Sequence, residues 1–257
     1  MTTVNVRWQN RSLMDAIILA GGFAKRMWPL TKNKPKQLLE LAGNPMLYYV
    51  IQSLQDLNCS RIIVSVNSHF APQFKHYLDS SNDNQNIELF IEDSNSEDEK
   101  LGALGALDLL FKSKNLKGPV FIAGGDNLSD FDLKKMVSIY KDLKADVIGL
   151  FDVENTELAK LYGIADLNEN RIVDFVEKPS SPPSTLAATA YWLLSESGIK
   201  NFFTYIDRGG DRDAMGNFLA WNVKRNPVYS VSFKGNWYDI GGLESYSEAQ
   251  KWLETRP

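Results

Sequence analysis

The segment from Ala16 to Pro45, which reads AIILAGGFAKRMWPLTKNKPKQLLELAGNP, constrains the fold more than any other. It opens with five apolar residues, a run typical of a strand buried on both faces of a parallel sheet. Gly21 and Gly22 follow, and then a loop with no acid before Glu40. The cations of this loop are Lys25, Arg26, Lys32, Lys34 and Lys36. Because ligands of parallel α/β sheets bind beyond the carboxyl ends of strands, the segment predicts an α/β fold with an anion site here.

The anion that fits this loop best is a polyphosphate. Paired glycines let backbone N–H groups approach phosphate oxygens, while arginine and lysine side chains neutralise the charge from the sides. The two best-known phosphate loops do not match. A Walker loop ends in Gly-Lys-Ser/Thr, and the Rossmann fingerprint has a third glycine, whereas Phe23, Ala24 and Lys25 follow Gly22. The loop therefore predicts a phosphate site of another kind.

Composition excludes several other classes of protein. The chain has 257 residues, of which 44% are hydrophobic and 23% charged, as in ordinary globular proteins. A net charge of −4 gives no overall field that would favour nucleic acid. No apolar run reaches the roughly 18 residues of a membrane span. The single Cys59 favours a reducing compartment, and we expect a cytoplasmic protein without a membrane or nucleic-acid partner.

A second strand end carries a candidate metal ligand. The apolar run Pro119–Ala123 leads into Gly124, Gly125, Asp126 and Asn127. An acid at the carboxyl end of a central strand lies where a phosphate-bound metal needs a hard oxygen ligand. The alternative is a turn residue that caps a helix predicted to begin near Asp130. Since Ser129 and Asp130 can themselves cap that helix, a metal role is favoured for Asp126.

The glycine loop resembles the signature of the sugar-phosphate nucleotidylyltransferases. That signature is Leu-Ala-Gly-Gly-x-Gly-Thr-Arg-Leu-x-Pro-Leu-Thr, followed by Pro-Lys-Gln/Pro-Leu-Leu. The chain reads LAGGFAKRMWPLT at 19–31 and PKQLL at 35–39. It departs from the signature at Ala24, where glycine is usual, and at Lys25, where threonine is usual. Alanine lacks the left-handed freedom of glycine, so a slightly different turn is expected.

The resemblance covers about residues 14–250 and implies a fold. We expect a three-layer α/β/α architecture with a mixed, mostly parallel central sheet, the Rossmann-like nucleotidyltransferase fold. Residues 14–257 are predicted to form a single domain, with a nucleotide-binding half at about 14–150 and a sugar-phosphate-binding half at about 151–241. Residues 1–13 lack the apolar core of a signal peptide and are predicted to be an N-terminal extension.

The resemblance also implies a reaction. An oxygen of a hexose 1-phosphate attacks the α-phosphorus of a nucleoside triphosphate, which gives a nucleotide-sugar and pyrophosphate. Such chemistry depends on positioning and charge neutralisation. The cofactor implied is Mg²⁺, held by Asp126 and by Asp239, which lies in a Trp-x-Asp-Ile-Gly motif of the family. The partners implied are the two substrates, and relatives form dimers and tetramers, which makes a homo-oligomer an expectation of the resemblance.

Family motifs assign the remaining site residues. Glu177-Lys178-Pro179 matches the motif whose glutamate holds sugar hydroxyls and whose lysine holds the sugar phosphate. The nucleotide-binding residues implied are Leu19, Gly21, Gly22, Gln37 and Gly102. Those implied for the sugar phosphate are Gly125, Tyr162, Gly163, Glu177, Lys178 and Thr189. The catalytic residues implied are Arg26, for the leaving pyrophosphate, Lys36, for charge at the α-phosphate, and Lys178, Asp126 and Asp239.

The base and the sugar are left with alternatives. The Gly-Asp-Asn and Lys-Gln-Leu-Leu runs favour glucose 1-phosphate with dTTP or UTP, as in glucose-1-phosphate thymidylyltransferases or uridylyltransferases. However, Glu97, Asp98, Glu99 and Lys100 stand where the family often has the glutamine that reads the pyrimidine. They belong to the acidic segment 92–100, which is predicted to be a loop. A carboxylate can accept from guanine N1–H and N2–H, so a mannose-1-phosphate guanylyltransferase is the alternative. A non-catalytic nucleotide-sugar-binding subunit is a third, supported only by Ala24 and Lys25.

Overall fold

The computed structural model of the chain describes residues 14–80 and 86–256, so the predicted extension at 1–13 lies outside the described residues. The strands are β1 (Asp15–Leu19), β2 (Glu40–Leu41), β3 (Asn44–Pro45), β4 (Ile62–Asn67), β5 (Ile87–Glu92), β6 (Val120–Gly124), β7 (Asn127–Ser129), β8 (Asp146–Asp152), β9 (Gly163–Asn168), β10 (Arg171–Glu177), β11 (Leu186–Leu194), β12 (Val228–Phe233) and β13 (Trp237–Asp239). The helices are α1 (Met46–Gln55), α2 (Ala71–Ser80), α3 (Ala103–Lys114), α4 (Lys134–Leu143), α5 (Thr156–Ala159), α6 (Glu196–Asp207), α7 (Met215–Asn222) and α8 (Leu243–Glu254).

In this part of the chain the central sheet has nine strands, in the order β5-β4-β1-β6-β11-β8-β12-β10-β9. The pairs among β5, β4, β1 and β6 are parallel, and so is the pair of β8 with β12. The other pairs are antiparallel, including the hairpin of β9 and β10. A separate two-stranded ribbon joins β7 to β13. The sheet is therefore mixed, and β1 lies among parallel neighbours as its apolar sequence predicts.

Two apolar cores cover the two faces of the sheet. Successive side chains of β1 point to opposite faces. Ile18 belongs to the core that includes residues of α1, α2, α4 and α8, and Ile17 belongs to the core that includes residues of α3, α6 and α7. The result is the three-layer α/β/α arrangement predicted from the sequence. None of the helices in the described residues is long and apolar enough to cross a membrane.

Two local predictions differ from the structure. The helix expected near Asp130 begins at Lys134, because residues 127–129 form β7 and the Asp132 carboxylate accepts from the Lys134 N–H. The segment 92–100 is also not a simple loop. Glu92 is the last residue of β5 and is buried, and residues 97–99 form a short 3₁₀ turn.

Candidate active site

Two cavities open at the carboxyl ends of the central strands. The first, called here the glycine-loop cavity, measures about 440 Å³ and is lined by the loop after β1 and the start of α3. The second, called the hairpin cavity, measures about 320 Å³ and is lined by the β9–β10 hairpin, β11 and the start of α7. The cavities share Leu19, Arg26 and Asp126. A molecule in one cavity can therefore meet a molecule in the other at Asp126.

The predicted site residues, with the exception of Gly125, line one or the other of these cavities. The predicted nucleotide ligands Leu19, Gly21, Gly22, Gln37 and Gly102 all line the glycine-loop cavity. The predicted sugar-phosphate ligands Tyr162, Gly163, Glu177, Lys178 and Thr189 line the hairpin cavity. Gly125 lines neither: its N–H donates to Leu19 O at 2.9 Å, and a Cβ there would lie 3.0 Å from Gln37 Cγ. Gly125 thus serves close packing of backbone and side chain.

The two predicted metal ligands are brought together by the β7–β13 ribbon. Asp239 lies directly opposite Asn127 in this antiparallel pair, and Asp126 precedes Asn127. The Asn127 side-chain amide donates to Asp126 Oδ1 at 3.1 Å and to Asp239 Oδ1 at 3.2 Å. Two carboxylates that are far apart in the sequence consequently converge where the two cavities meet.

Lys36 is the cation that balances these acids. Its ammonium donates to Asp126 Oδ2 at 2.6 Å and to Ile240 O at 2.7 Å, and its side chain is only 10% exposed. Burial raises the pKa of Asp126, but the Lys36 charge together with hydrogen bonds from Lys36 and Asn127 outweighs it and holds that pKa below its usual value. Burial, with the neighbouring Asp126 carboxylate, raises the pKa of Asp239 to about 6. The pair thus carries a like-charge repulsion that Lys36 offsets only in part.

This donor set fits a divalent cation with hard oxygen ligands. Residues 14–80 and 86–256 contain no group of three or more His, Cys, Asp or Glu side chains that could hold a metal alone. Mg²⁺ usually keeps several waters and binds one or two carboxylates together with substrate phosphates. Asp126 and Asp239 match that number, and the repulsion between them is what a bound cation relieves. The residues present therefore fit Mg²⁺ completed by substrate oxygens.

The glycine loop keeps its left-handed bend despite Ala24. This residue has φ 51° and ψ 43°, and its carbonyl accepts from the Thr31 hydroxyl at 2.8 Å. For a non-glycine residue that conformation costs about 1–2 kcal/mol. Lys25, which follows, lines the glycine-loop cavity beside Arg26. The departures from the signature therefore leave the bend in place and add a cation.

The floor of the glycine-loop cavity contains an acid that motif reasoning missed. Glu92 is 4% exposed, and its Oε1 accepts from the Ser65 hydroxyl at 2.8 Å. A Cβ on Gly21 would lie 2.7 Å from both Glu92 carboxylate oxygens, so a side chain there would displace this carboxylate. Burial raises the pKa of Glu92, which the Ser65 bond offsets only in part. The strand pattern of 87–92 could have located this carboxylate at the strand end.

Gln37 adds a second polar group without a protein partner. It is 3% exposed, lines the same cavity, and its Oε1 has no hydrogen-bond partner within the described part of the chain. An unpaired buried acceptor costs about 1–3 kcal/mol. A ligand donor at this point would remove that cost. The side chain is therefore placed as a nucleotide contact would require.

The loop 208–213 packs the backbone of its last two residues against the start of α3, and Asp213 lines the glycine-loop cavity. The Arg212 carbonyl accepts a hydrogen bond from the Leu104 N–H at 3.0 Å, and the Asp213 carbonyl accepts one from the Ala103 N–H at 2.9 Å. A Cβ on Gly102, whose φ is 72°, would lie 2.5 Å from Arg212 O. The first amides of α3 are thus occupied by the protein itself and are not available to phosphate.

The hairpin cavity is built around Glu177. Cβ atoms added to Gly163 and Gly216 would lie 2.7 Å and 1.8 Å from Glu177 Oε2, so both glycines make room for this carboxylate. Burial raises the pKa of Glu177 above its usual value, and the charge of Lys178 offsets this rise only in part. The Thr189 hydroxyl donates to Gly149 O at 2.8 Å. Of the sugar-side predictions, Glu177 and Lys178 therefore offer side-chain groups to the cavity, and the Thr189 hydroxyl serves the backbone.

Several residues that line the hairpin cavity were not predicted as site residues, namely Trp192, Met215, Gly216 and Trp237. Trp237 stands beside Tyr162 with ring centroids 5.2 Å apart, and both rings form one wall. Trp192 donates from Nε1 to Thr189 O at 2.9 Å. An apolar aromatic wall facing a carboxylate is typical of sites for polar organic ligands.

Comparisons with known proteins agree with this architecture. The sequence profile of the nucleotidyl transferase family matches residues 15–256. The mannose-1-phosphate guanylyltransferase catalytic subunit beta of Drosophila pseudoobscura pseudoobscura is 27% identical over 88% of this chain. The UTP–glucose-1-phosphate uridylyltransferase of Staphylococcus epidermidis (strain ATCC 35984) is 24% identical over 90% of the chain and 88% of that protein.

The length of the match differs between relatives. The chain spans 58% of the Drosophila protein, and about three fifths of the first curated relatives that it matches. Among solved structures, a UDP-glucose pyrophosphorylase complexed with UDP-glucose superposes with a TM-score of 0.81 at 21% identity, over 95% of this chain and 100% of that one. This likeness confirms the predicted fold. Since the profile match covers nearly the whole chain, the protein belongs to the nucleotidyl transferase family.

Proposed function

We propose that this chain is a Mg²⁺-dependent sugar-1-phosphate nucleotidyltransferase, which joins a nucleoside triphosphate to a hexose 1-phosphate and releases pyrophosphate. The observation that carries the proposal is the meeting of Asp126 and Asp239 at the point where the two cavities join. One cavity has the cations that a triphosphate needs, and the other has the carboxylate and lysine that a sugar phosphate needs.

The residues at the junction have separate tasks in this reaction. A phosphate oxygen of the sugar phosphate forms a bond to the α-phosphorus as the bond from that phosphorus to the pyrophosphate oxygen breaks. Arg26 lines both cavities and holds the leaving pyrophosphate. Lys36 neutralises charge at the α-phosphate, and Lys178 holds the attacking phosphate against the repulsion of the triphosphate. When bound at Asp126 and Asp239, Mg²⁺ supplies Lewis-acid polarisation of phosphate oxygens.

Two substrate pairings are proposed for this site. The sequence motifs favour glucose 1-phosphate with dTTP or UTP, and the uridylyltransferase relative agrees with that pairing. Glu92 favours GTP with mannose 1-phosphate, the pairing named by the guanylyltransferase relative. A carboxylate accepts only, so it suits the adjacent N1–H and N2–H donors of guanine better than uracil or thymine, whose single N–H lies between two carbonyls.

The test is release of pyrophosphate from the purified chain across five triphosphates and three hexose 1-phosphates, with Mg²⁺ and with EDTA. We expect release that requires one triphosphate, one sugar phosphate and Mg²⁺ together. Release with UTP or dTTP and glucose 1-phosphate supports the first pairing, and release with GTP and mannose 1-phosphate supports the second. Tight binding of a nucleotide-sugar without release under any pairing would contradict catalysis and support the non-catalytic alternative.

A further inference from the structure

The side chain of Asn127, a residue that is only 3% exposed, makes four hydrogen bonds. Its Oδ1 accepts from Trp237 Nε1 at 2.8 Å and from the Ala190 N–H at 3.2 Å. Its Nδ2 donates to the carboxylates of Asp126 and Asp239, as described above. A side-chain amide has two donors and one oxygen with two lone pairs, so every position is used.

We infer that Asn127 is a positioning residue that sets the separation of the two metal-binding carboxylates, and that Trp237 helps to hold its amide in the orientation that serves both. If the amide were flipped, its NH₂ group would face two N–H donors and its oxygen would face two carboxylates. All four contacts would then be repulsive. The two donors at Oδ1 therefore select the orientation in which one N–H is aimed at each acid.

The backbone holds this arrangement in register. Trp237 and Asp239 are two residues apart on β13, so their side chains lie on the same face of the ribbon. Asn127 is paired with Asp239 across the ribbon, and its carbonyl accepts from the Tyr191 hydroxyl at 2.9 Å. The tryptophan, the amide and both acids are thus fixed relative to one another by short connections.

The inference rests on the proposed metal site and assigns it a supporting group. Groups that orient metal ligands without touching the metal typically change metal affinity about 10–100-fold when they are removed. The Trp237 ring is also a wall of the hairpin cavity, next to Tyr162. The indole therefore connects the surface that a sugar phosphate would contact with the carboxylates at the junction.

The chain offers a matched control for Trp237. Trp192 also lines the hairpin cavity and also donates from Nε1 to a carbonyl oxygen, but its acceptor is Thr189 O rather than Asn127. Trp237→Phe and Trp192→Phe each remove one indole N–H and keep an aromatic ring. Only Trp237→Phe removes a hydrogen bond from the Asn127 amide, whose oxygen then keeps the Ala190 N–H as its one donor.

The experiment measures Mn²⁺ binding to the full chain by electron paramagnetic resonance of the free ion. Saturating UDP-glucose or GDP-mannose, whichever the chain binds, supplies the phosphate oxygens of the site, and the nucleotide-sugar alone is the blank. Thermal unfolding of each metal-free variant is measured alongside. We expect Trp237→Phe to weaken Mn²⁺ binding about 10-fold or more and Trp192→Phe to leave it at the wild-type value. Equal Mn²⁺ affinities in the two variants would overturn the inference. Absence of Mn²⁺ binding by the wild type would instead overturn the metal site, and the inference with it.

Asn127→Ala provides a second measurement if Trp237→Phe does not fold. We expect this variant to lose Mn²⁺ affinity at least as strongly as Trp237→Phe. If both fold, adding Trp237→Phe to Asn127→Ala should cause no further loss, because the indole acts only through the amide. A further 10-fold loss in the double variant, or wild-type affinity in Asn127→Ala, would contradict the assigned role.

Discussion

Gly216→Ala tests whether Glu177 is a sugar ligand without altering that side chain. Gly216 is the second residue of α7, and a Cβ there would lie 1.8 Å from Glu177 Oε2. The carboxylate must then move away from its position in the hairpin cavity. A hydrogen bond to a charged group contributes about 1.5–3 kcal/mol. Since each 1.36 kcal/mol is a factor of ten, we expect kcat/KM for the sugar phosphate to fall about 10- to 150-fold.

The assay is pyrophosphate release with the sugar phosphate varied at saturating triphosphate, and then the reverse. The KM for triphosphate should stay at its wild-type value, because Glu177 does not line the glycine-loop cavity. Gly242→Ala is the matched control, since a Cβ there meets nothing within 4 Å. Wild-type kcat/KM for the sugar phosphate in Gly216→Ala, or an equal loss of kcat/KM for both substrates, would contradict the role of Glu177 as a sugar ligand.

Three further predictions concern acids of the candidate site and of the core. Asp126→Asn should abolish pyrophosphate release with an unchanged circular dichroism spectrum, and a wild-type rate with Mg²⁺ would contradict the metal role. Glu92→Gln should keep the contact with Ser65 and lower the ratio of kcat/KM for GTP to kcat/KM for UTP about 5- to 150-fold. This factor corresponds to about 1–3 kcal/mol of base discrimination. An unchanged ratio would count against a role of Glu92 in base recognition. Burial raises the pKa of Asp146, whose carboxylate accepts a hydrogen bond from Ser195. The stability that Asp146 contributes is therefore fully present below its unfolded-state pKa, and it is lost as pH rises through the raised native-state pKa. The free energy of unfolding is to be measured with urea from about pH 4 to about pH 8 for the wild type and for Asp146→Asn. The difference in favour of the wild type should shrink as pH rises, and a difference that grows with pH would contradict a raised native-state pKa of Asp146.

The α/β class could be predicted because its evidence is local, whereas the three-layer arrangement with a mixed sheet was implied by the family resemblance. The apolar run of β1, the glycine turn after it and the strand end before Asp126 each follow from residues that are adjacent in sequence. Asp239 was predicted from a motif rather than from geometry. The β7–β13 pairing that brings it to Asp126 joins distant segments of three residues each, too short to give a periodic signal.

The missed residues depend on contacts between distant elements. The sequence predicts an acidic loop at Glu92, because Asp93 and the acids at 97–99 follow it, whereas its contacts with Ser65 and Gly21 come from distant segments. Gly216 matters because of the Glu177 carboxylate beside it. Trp237 was seen as part of a motif, but its bond to Asn127 could be recognised only from coordinates. Side-chain contacts across a sheet leave little trace in hydrophobic periodicity.

The most direct test of the central claim is the anomalous scattering of Mn²⁺ in crystals of the full chain grown with the nucleotide-sugar product. We expect a single Mn²⁺ peak at bonding distance from carboxylate oxygens of both Asp126 and Asp239, between the occupied glycine-loop and hairpin cavities. A Mn²⁺ peak that contacts only one of these acids, or that lies away from the junction of the two cavities, would contradict it.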